Sequence, residues 1–378
     1  MSPEAAPHLE RASAEPEPAS LAAATRLRAS LPAERAAAVL HQVALRRRAA
    51  ARLDTDDLFL TADGLEQATR PDVSRWRARR LAEAGAVAVW DLGSGLGLDA
   101  IAMAAAGLRV TLVERDPVTA VLARANLALA GMGGEVRTAA VEDVLGEIPH
   151  DAAVFCDPAR RTARGRTWDV ADLSPSWDLV SGLLDGTRLA CVKLGPGVPY
   201  RILPESAETT WVSHDGDLVE ASVWAGAGGQ GERAALLLPG DNRLVAGADV
   251  GSGPLGRFLY EPDPAVIRAG AVGALAGQLG AHRVASEVAY LTSDHATTTP
   301  YATSFEVLEV LPTVKEAALR VWVTEHGVGT LEIKKRGVEV DPATLRRRLR
   351  PKGPASATLV LTPTLSGAAS LVVRRVTP

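Results

Sequence analysis

Asp91-Leu92-Gly93-Ser94-Gly95-Leu96-Gly97-Leu98-Asp99 is the stretch whose reading decides the fold. It follows the apolar run Val87-Ala88-Val89-Trp90 and leads into a helical pattern over 99–106, so it reads as a glycine loop joining a strand to a helix. Glycines at such a turn adopt backbone conformations barred to other residues and let a ligand approach without meeting Cβ atoms. Outward from the loop, apolar runs recur at 108–113, 151–156 and 188–194, with a second helical stretch over 117–130. Short strands alternating with helices predict an α/β fold with a Rossmann-like parallel sheet covered on both faces.

The loop departs from the dinucleotide fingerprint, because its third glycine follows the second by two residues rather than three. Asp91 at its head would repel a pyrophosphate but suits a cationic ligand. S-adenosylmethionine carries an ammonium and a sulfonium and has no phosphate. The next strand ends in Val113-Glu114-Arg115-Asp116, which places at its tip a carboxylate able to take both hydroxyls of a ribose. Asp91, Gly93, Gly95, Gly97 and Glu114 together resemble the cofactor-binding motifs of class I S-adenosylmethionine-dependent methyltransferases. That resemblance implies methyl transfer and implies an acid after the third strand that addresses the adenine amino group. Asp143 in Val141-Glu142-Asp143-Val144-Leu145 matches by position, with Glu142 a close rival.

After the run Ala152-Ala153-Val154-Phe155-Cys156 comes Asp157-Pro158-Ala159-Arg160-Arg161, then Arg164-Gly165-Arg166. The C-terminal end of a central parallel strand is where such sheets present catalytic groups. Asp157 can hold an amino or imino edge or accept a proton, and Lys193 on an adjacent strand tip is either its helper or a solvated strand end. Arg160, Arg161, Arg164 and Arg166 bring phosphate-binding capacity to the same rim. This location resembles the fourth motif of the family, and the Asp-Pro-X-Arg form resembles several tRNA and rRNA methyltransferases. Arg160 occupies the place where exocyclic-amino methylases carry an aromatic residue. Cys156 and Cys191, the only cysteines, sit inside predicted strands, which disfavours a covalent thiol mechanism, a disulfide framework and a cysteine zinc site.

The 378 residues are 47% hydrophobic and 23% charged, which predicts a globular chain of two or three domains. A formal charge of -4 argues against wholesale coating of a polyanion and leaves room for a local basic face. Residues 1–20, rich in Pro, Ala, Glu and Ser, read as a disordered leader. Residues 21–84 read as a helical N-terminal region, 85–250 as the α/β domain with added antiparallel strands, and 256–378 as a small α+β module. The start lacks a secretory signal pattern and no stretch is apolar enough to span a bilayer, so the expected protein is cytoplasmic, without a membrane partner. Scattered histidines predict no metal site.

The wider chain, from Phe59-Leu60-Thr61-Ala62-Asp63-Gly64-Leu65-Glu66-Gln67-Ala68-Thr69-Arg70 to Leu331-Glu332-Ile333-Lys334-Lys335-Arg336-Gly337, resembles an uncharacterised bacterial group in which a class I methyltransferase domain precedes a THUMP-like domain. THUMP modules are associated with RNA-modifying enzymes, so the resemblance implies structured RNA as a partner. Residues 331–352 hold eight Lys or Arg against three acids, concentrated in Lys334-Lys335-Arg336 and Arg346-Arg347-Arg348, a pattern that suits a phosphate backbone or a solvated helix and turn. Three functions follow in order: an RNA base methyltransferase, a protein or small-molecule methyltransferase, and a non-catalytic cofactor- or RNA-binding protein.

Overall fold

A computed structural model describes residues 6–55, 57–160 and 169–376. The chain divides into two compact units, Met1–Glu208 with Ala221–Gly231, and Thr209–Glu220 with Glu232–Pro378.

The first unit opens with helices α1 (Ala6–Ser13), α2 (Leu21–Arg28), α3 (Ala33–Leu53), α4 (Ala62–Gln67) and α5 (Pro71–Glu83). The expected disordered leader is therefore corrected: α1 lies within it. Leu9 and Ala12, one helical turn apart, share a core with Ala23, Leu27, Ala36, Leu40 and Val43. Arg47 donates to the carbonyl of Pro16 at 2.8 Å and to that of Ser13 at 2.9 Å, which ties the polar remainder of the segment to α3.

The sheet of this unit follows, as β1 (Ala88–Leu92), α6 (Leu98–Ala105), β2 (Arg109–Glu114), α7 (Pro117–Leu129), β3 (Glu135–Thr138), α8 (Val141–Val144), β4 (Ala153–Cys156), the short pair β5 (Ala159–Arg160) and β6 (Leu173–Ser174), α9 (Trp177–Gly182), β7 (Ala190–Leu194) and, after β8 (Glu208–His214), whose residues from 209 onward belong to the second unit, the 221–225 part of β9 (Asp217–Ala225). Its strand order is β9-β7-β4-β1-β2-β3. β1, β2, β3, β4 and β7 run parallel, and β9 is antiparallel to β7 through the pairs Ala190 with Ala225 to Leu194 with Ala221. The chain steps from β1 outward to β3 and returns on the other side of β1 to β4. That reversal leaves a crevice at the C-terminal ends of β1 and β4, the place where open α/β sheets bind ligands. The strands are apolar because both faces are covered: Val89, Leu92, Leu112, Val113, Val154 and Phe155 are all at most 1% exposed.

The second unit continues with β10 (Arg233–Leu238), β11 (Asn242–Val245), β12 (Phe258–Pro262), α10 (Pro264–Ala269), α11 (Val272–Leu279), β13 (His282–Arg283), β14 (Leu291–Ser293), β15 (Ala302–Leu311), α12 (Glu316–Glu325), β16 (Val328–Lys335), α13 (Pro342–Leu349), β17 (Ala355–Thr364) and β18 (Gly367–Arg375). Here β10 pairs with β8 in parallel and with β11 antiparallel. A seven-stranded sheet runs β13-β14-β12-β15-β18-β17-β16, antiparallel except for β16 beside β17, which α13 connects. Alternation along β17 serves two cores: Leu359 and Leu361 pack with Leu319, Trp322 and Leu345, whereas Val360 packs with Leu259, Tyr290 and Phe305. Residues 209–220 and 232–250, which the sequence reading placed with the first domain, fall in this second unit. Their short strands pair partly among themselves, and chain order alone carries no sign of that.

Candidate active site

At the end of β1 the chain turns through Gly93, Gly95 and Gly97, with φ of 80°, 53° and 75°. Two of these glycines have distinct reasons. A Cβ on Gly97 would stand 3.0 Å from Leu112 Cδ2 and 3.4 Å from Ala123 Cβ, so its absence lets the loop settle on β2 and α7. A Cβ on Gly95 would meet nothing within 4 Å, because that residue faces open space.

The space is a cavity of about 460 Å³. Its wall is built from Asp63, Gln67, Ala68 and Thr69 of the α4 region, the loop from Gly93 to Leu96 with Leu98 and Asp99, and the tip of β2. Ala139 to Glu142, Asp157, Ala159, Ser174 and Pro175 complete it. Among the described lining residues, Asp63, Asp99, Glu114, Asp116, Glu142 and Asp157 face a single basic side chain, Arg115. Such a lining favours a cationic ligand and disfavours a phosphate.

Glu114 is held in place by the backbone: Gly95 N–H donates to its Oε2 at 2.9 Å and Asp116 N–H to its Oε1 at 2.8 Å. Asp91 is 1% exposed, and neither carboxylate oxygen has a hydrogen-bond partner. Burial first, and the nearby Asp99 and Asp157 next, push its carboxyl well above the usual carboxylate range. It lies beneath the loop and outside the lining. The Ser94 hydroxyl, also buried without a partner, does line the cavity. Beyond β3, Glu142 lines the cavity and the exposed Asp143 does not.

At the end of β4, Lys193 Nζ on β7 donates to Asp157 Oδ2 at 2.6 Å and to Thr69 Oγ1 at 3.0 Å. Thr69 Oγ1 donates to Asp99 Oδ2 at 2.7 Å, and Arg77, fully buried on α5, closes the chain as the ion-pair partner of Asp99 Oδ1. Burial pushes the Asp157 carboxyl above its ordinary value while Lys193 pulls it back. The structure thus gathers Asp157 and Lys193 as the sequence suggested, and adds Thr69, Arg77 and Asp99, which sequence reasoning missed. The only signal available for them was the place of Asp99 two residues after the third glycine.

Asn126 was also missed. This fully buried amide on α7 accepts from Phe59 N–H at 2.7 Å and donates to the carbonyls of Phe59 and Leu96, each at 3.0 Å. It clips the segment leading into α4 to the glycine loop. Both cysteines are buried, and burial drives the Cys156 thiol well above its ordinary pKa, which disfavours it as a nucleophile.

Arg160 lies in β5, its backbone opposite Leu173, whereas Arg161, Arg164 and Arg166 fall outside the described residues. The Lys334-Lys335-Arg336 run does not form one surface. Strand alternation turns Lys334 onto Glu261 at 2.8 Å and Arg336 over the ring of Tyr290, and leaves Lys335 exposed. On α13, Leu345 and Leu349 are buried and Arg346, Arg347 and Arg348 are exposed together. Among the described residues no three His, Cys, Asp or Glu side chains gather to hold a metal, and no helix is long and apolar enough to cross a membrane.

An uncharacterized S-adenosylmethionine-dependent methyltransferase of Mycobacterium tuberculosis strain H37Rv is 35% identical to this chain over 355 residues, covering 90% of the chain and 96% of that protein. The chain belongs to this family of S-adenosylmethionine-dependent methyltransferases. The corresponding protein of M. tuberculosis strain CDC 1551 matches the methyltransferase to the same extent. Residues 65–147 match the family "Putative SAM-dependent methyltransferase", and residues 302–375 match "THUMP domain-like". The fold is shared with the crystal structure of a putative methyltransferase from Porphyromonas gingivalis W83, at a TM-score of 0.79 and 23% identity over 92% of each chain. The cofactor of the methyltransferase is S-adenosylmethionine. The cavity fits it: an acidic lining for a cation, a fixed carboxylate at the β2 tip, and unsatisfied polar groups at Asp91 and Ser94 around the glycine loop.

Proposed function

We propose that this methyltransferase modifies a base of structured RNA, in tRNA or rRNA, by direct methyl transfer. The observation that carries the reading is the Asp157–Lys193 pair opening onto the cofactor cavity, in a chain whose C-terminal part is THUMP-like. When bound, the cofactor supplies an electrophilic methyl group. Glu114 takes the ribose hydroxyls through the oxygen lone pairs that its two backbone bonds leave available. Glu142, which lines the cavity, or its neighbour Asp143 addresses the adenine amino group. Asp157, steadied by Lys193, orients the acceptor and receives its proton. Arg160, Arg161, Arg164 and Arg166 guide the RNA toward that carboxylate, and Lys335 joins Arg346, Arg347 and Arg348 in holding its backbone. An RNA acceptor of this kind suits the cytoplasmic location expected from the sequence.

Glu114→Ala is expected to keep the fold and to weaken binding of S-adenosylhomocysteine by roughly 1–3 kcal/mol, the scale of lost charge-assisted hydrogen bonds. Equal calorimetric affinities for wild type and variant would remove the ribose role.

The RNA acceptor is tested by binding to total tRNA and rRNA fragments across a salt series. Each neutralised phosphate releases counterions, so changing Arg346, Arg347 and Arg348 together to glutamine is expected to flatten the slope of log affinity against log salt by up to about three. Cofactor binding should not change. Identical weak binding by both proteins at every salt concentration would take the module out of RNA recognition and put a protein or small-molecule acceptor first.

A further inference from the structure

We propose that Thr69 is a positioning residue of the methyl-transfer site, its hydroxyl holding the Lys193 ammonium where that group meets Asp157. The inference rests on the role given above to Asp157 and adds a residue that acts through Lys193. Donor and acceptor capacities set the direction of the hydrogen-bond chain. Arg77 and Lys193 can only donate, and the Asp99 carboxylate, paired with Arg77, accepts. The single proton of the Thr69 hydroxyl goes to Asp99 Oδ2 at 2.7 Å, which leaves an oxygen lone pair for Lys193 Nζ at 3.0 Å. Lys193 gives another N–H to Asp157 Oδ2 at 2.6 Å. Turned the other way, the hydroxyl would present its proton to the ammonium, and Asp99 prevents that.

The choice of lysine fits this role. The sequence has five lysines, Lys193, Lys315, Lys334, Lys335 and Lys352, so every other Lys-or-Arg position of the first unit is arginine. A guanidinium is a planar fork that matches one carboxylate, whereas an ammonium has three rotatable donors and can bridge a carboxylate after β4 and a hydroxyl after α4. The hydroxyl is held still by the helices before it. Thr69 is buried, Arg52 of α3 donates to the carbonyls of Glu66 at 2.9 Å and Ala68 at 3.0 Å, and Leu65 and Ala68 pack with Leu45, Leu53 and Leu96. The N-terminal helical region thereby supplies part of the catalytic end of the sheet.

Two substitutions separate this role from a merely structural one. Thr69→Val keeps the shape and removes both hydrogen bonds, and Thr69→Ser keeps the hydroxyl. In transfer of labelled methyl groups to total RNA from cells lacking the gene, Thr69→Val should lower turnover roughly 10- to 100-fold, the range for losing a hydrogen bond to a charged group, and Thr69→Ser should recover most of that loss. Affinity of the full chain for S-adenosylhomocysteine should stay within about twofold of wild type in both, which also reports that they fold. A second readout needs no acceptor. With five lysines, carbon-13 lysine labelling gives few side-chain signals, and that of Lys193 is the one lost in Lys193→Met. Its two ε-methylene protons should be distinct in wild type and Thr69→Ser, as in a fixed side chain, and merge in Thr69→Val. Normal turnover by Thr69→Val, a loss that serine does not recover, or a Lys193 signal unchanged by valine would each overturn the proposal. Wild type that transfers no methyl group to RNA would overturn the RNA reading, and the lysine signal alone would then decide whether Thr69 holds Lys193.

Discussion

If the proposed reaction is right, Asp157→Asn is expected to slow methyl transfer into RNA by roughly 10²- to 10⁴-fold, the usual contribution of a positioned proton acceptor. S-adenosylhomocysteine affinity should stay near that of wild type. Asparagine keeps the size of the side chain and can still accept from Lys193, but it cannot take up a proton. The pH dependence carries a second signature. Burial raises the Asp157 carboxyl and Lys193 lowers it. Activity that needs the carboxylate is present above its pKa and is lost as pH falls through it. Removing the ammonium in Lys193→Met therefore moves the acid limb of the rate profile to higher pH, while the plateau falls less than in Asp157→Asn. The measurement is incorporation of labelled methyl groups into total RNA from cells lacking the gene, across pH, for all three proteins. Near-normal turnover by Asp157→Asn would reduce Asp157 to a turn residue, and an acid limb that stays in place without Lys193 would separate the two groups.

Arg77→Met should cost about 3–5 kcal/mol of stability, the range for breaking a buried ion pair from one side. Arg77 is fully buried, its guanidinium stands 4.6 Å from the centre of the Phe155 ring, and it pairs with Asp99. Methionine fills most of the volume but leaves the Asp99 carboxylate without its counter-charge. Adding Asp99→Asn should recover a large part of the loss, since the uncompensated charge goes with it. Urea titrations of the full chain read both quantities. A single variant as stable as wild type, or a double variant no better than the single, would show that the pair contributes little to folding.

Periodicity explains what was legible. The strands around β1 are continuous apolar runs because helices cover both faces, and the glycine loop stands out against them, so Asp91 to Gly97 and Glu114 could be placed from sequence. Thr69 and Arg77 could not. Arg77 falls among Arg75, Arg79 and Arg80 on one helix, and nothing in that run tells the fully buried guanidinium from the exposed Arg75 and Arg79 or from Arg80, which pairs with Glu208. The α1 segment was obscured by composition, since its anchoring apolar contacts come from Leu9 and Ala12 within a polar, proline-rich stretch. The basic run at 334–336 looked like a patch because adjacency in sequence was read as adjacency in space, which a strand's alternation forbids.

The Asn126 clip bears on how such proteins can exchange parts. Phe59 and Leu96 meet that buried amide through main-chain atoms alone, so the clip depends on the asparagine and on the backbone path, and not on which side chains stand at 59 and 96. A recombination crossover at the turn before β1 would keep each secondary-structure element whole. It would also keep the clip wherever the second parent supplies the asparagine, so the cavity wall of one parent can be held against the glycine loop of another.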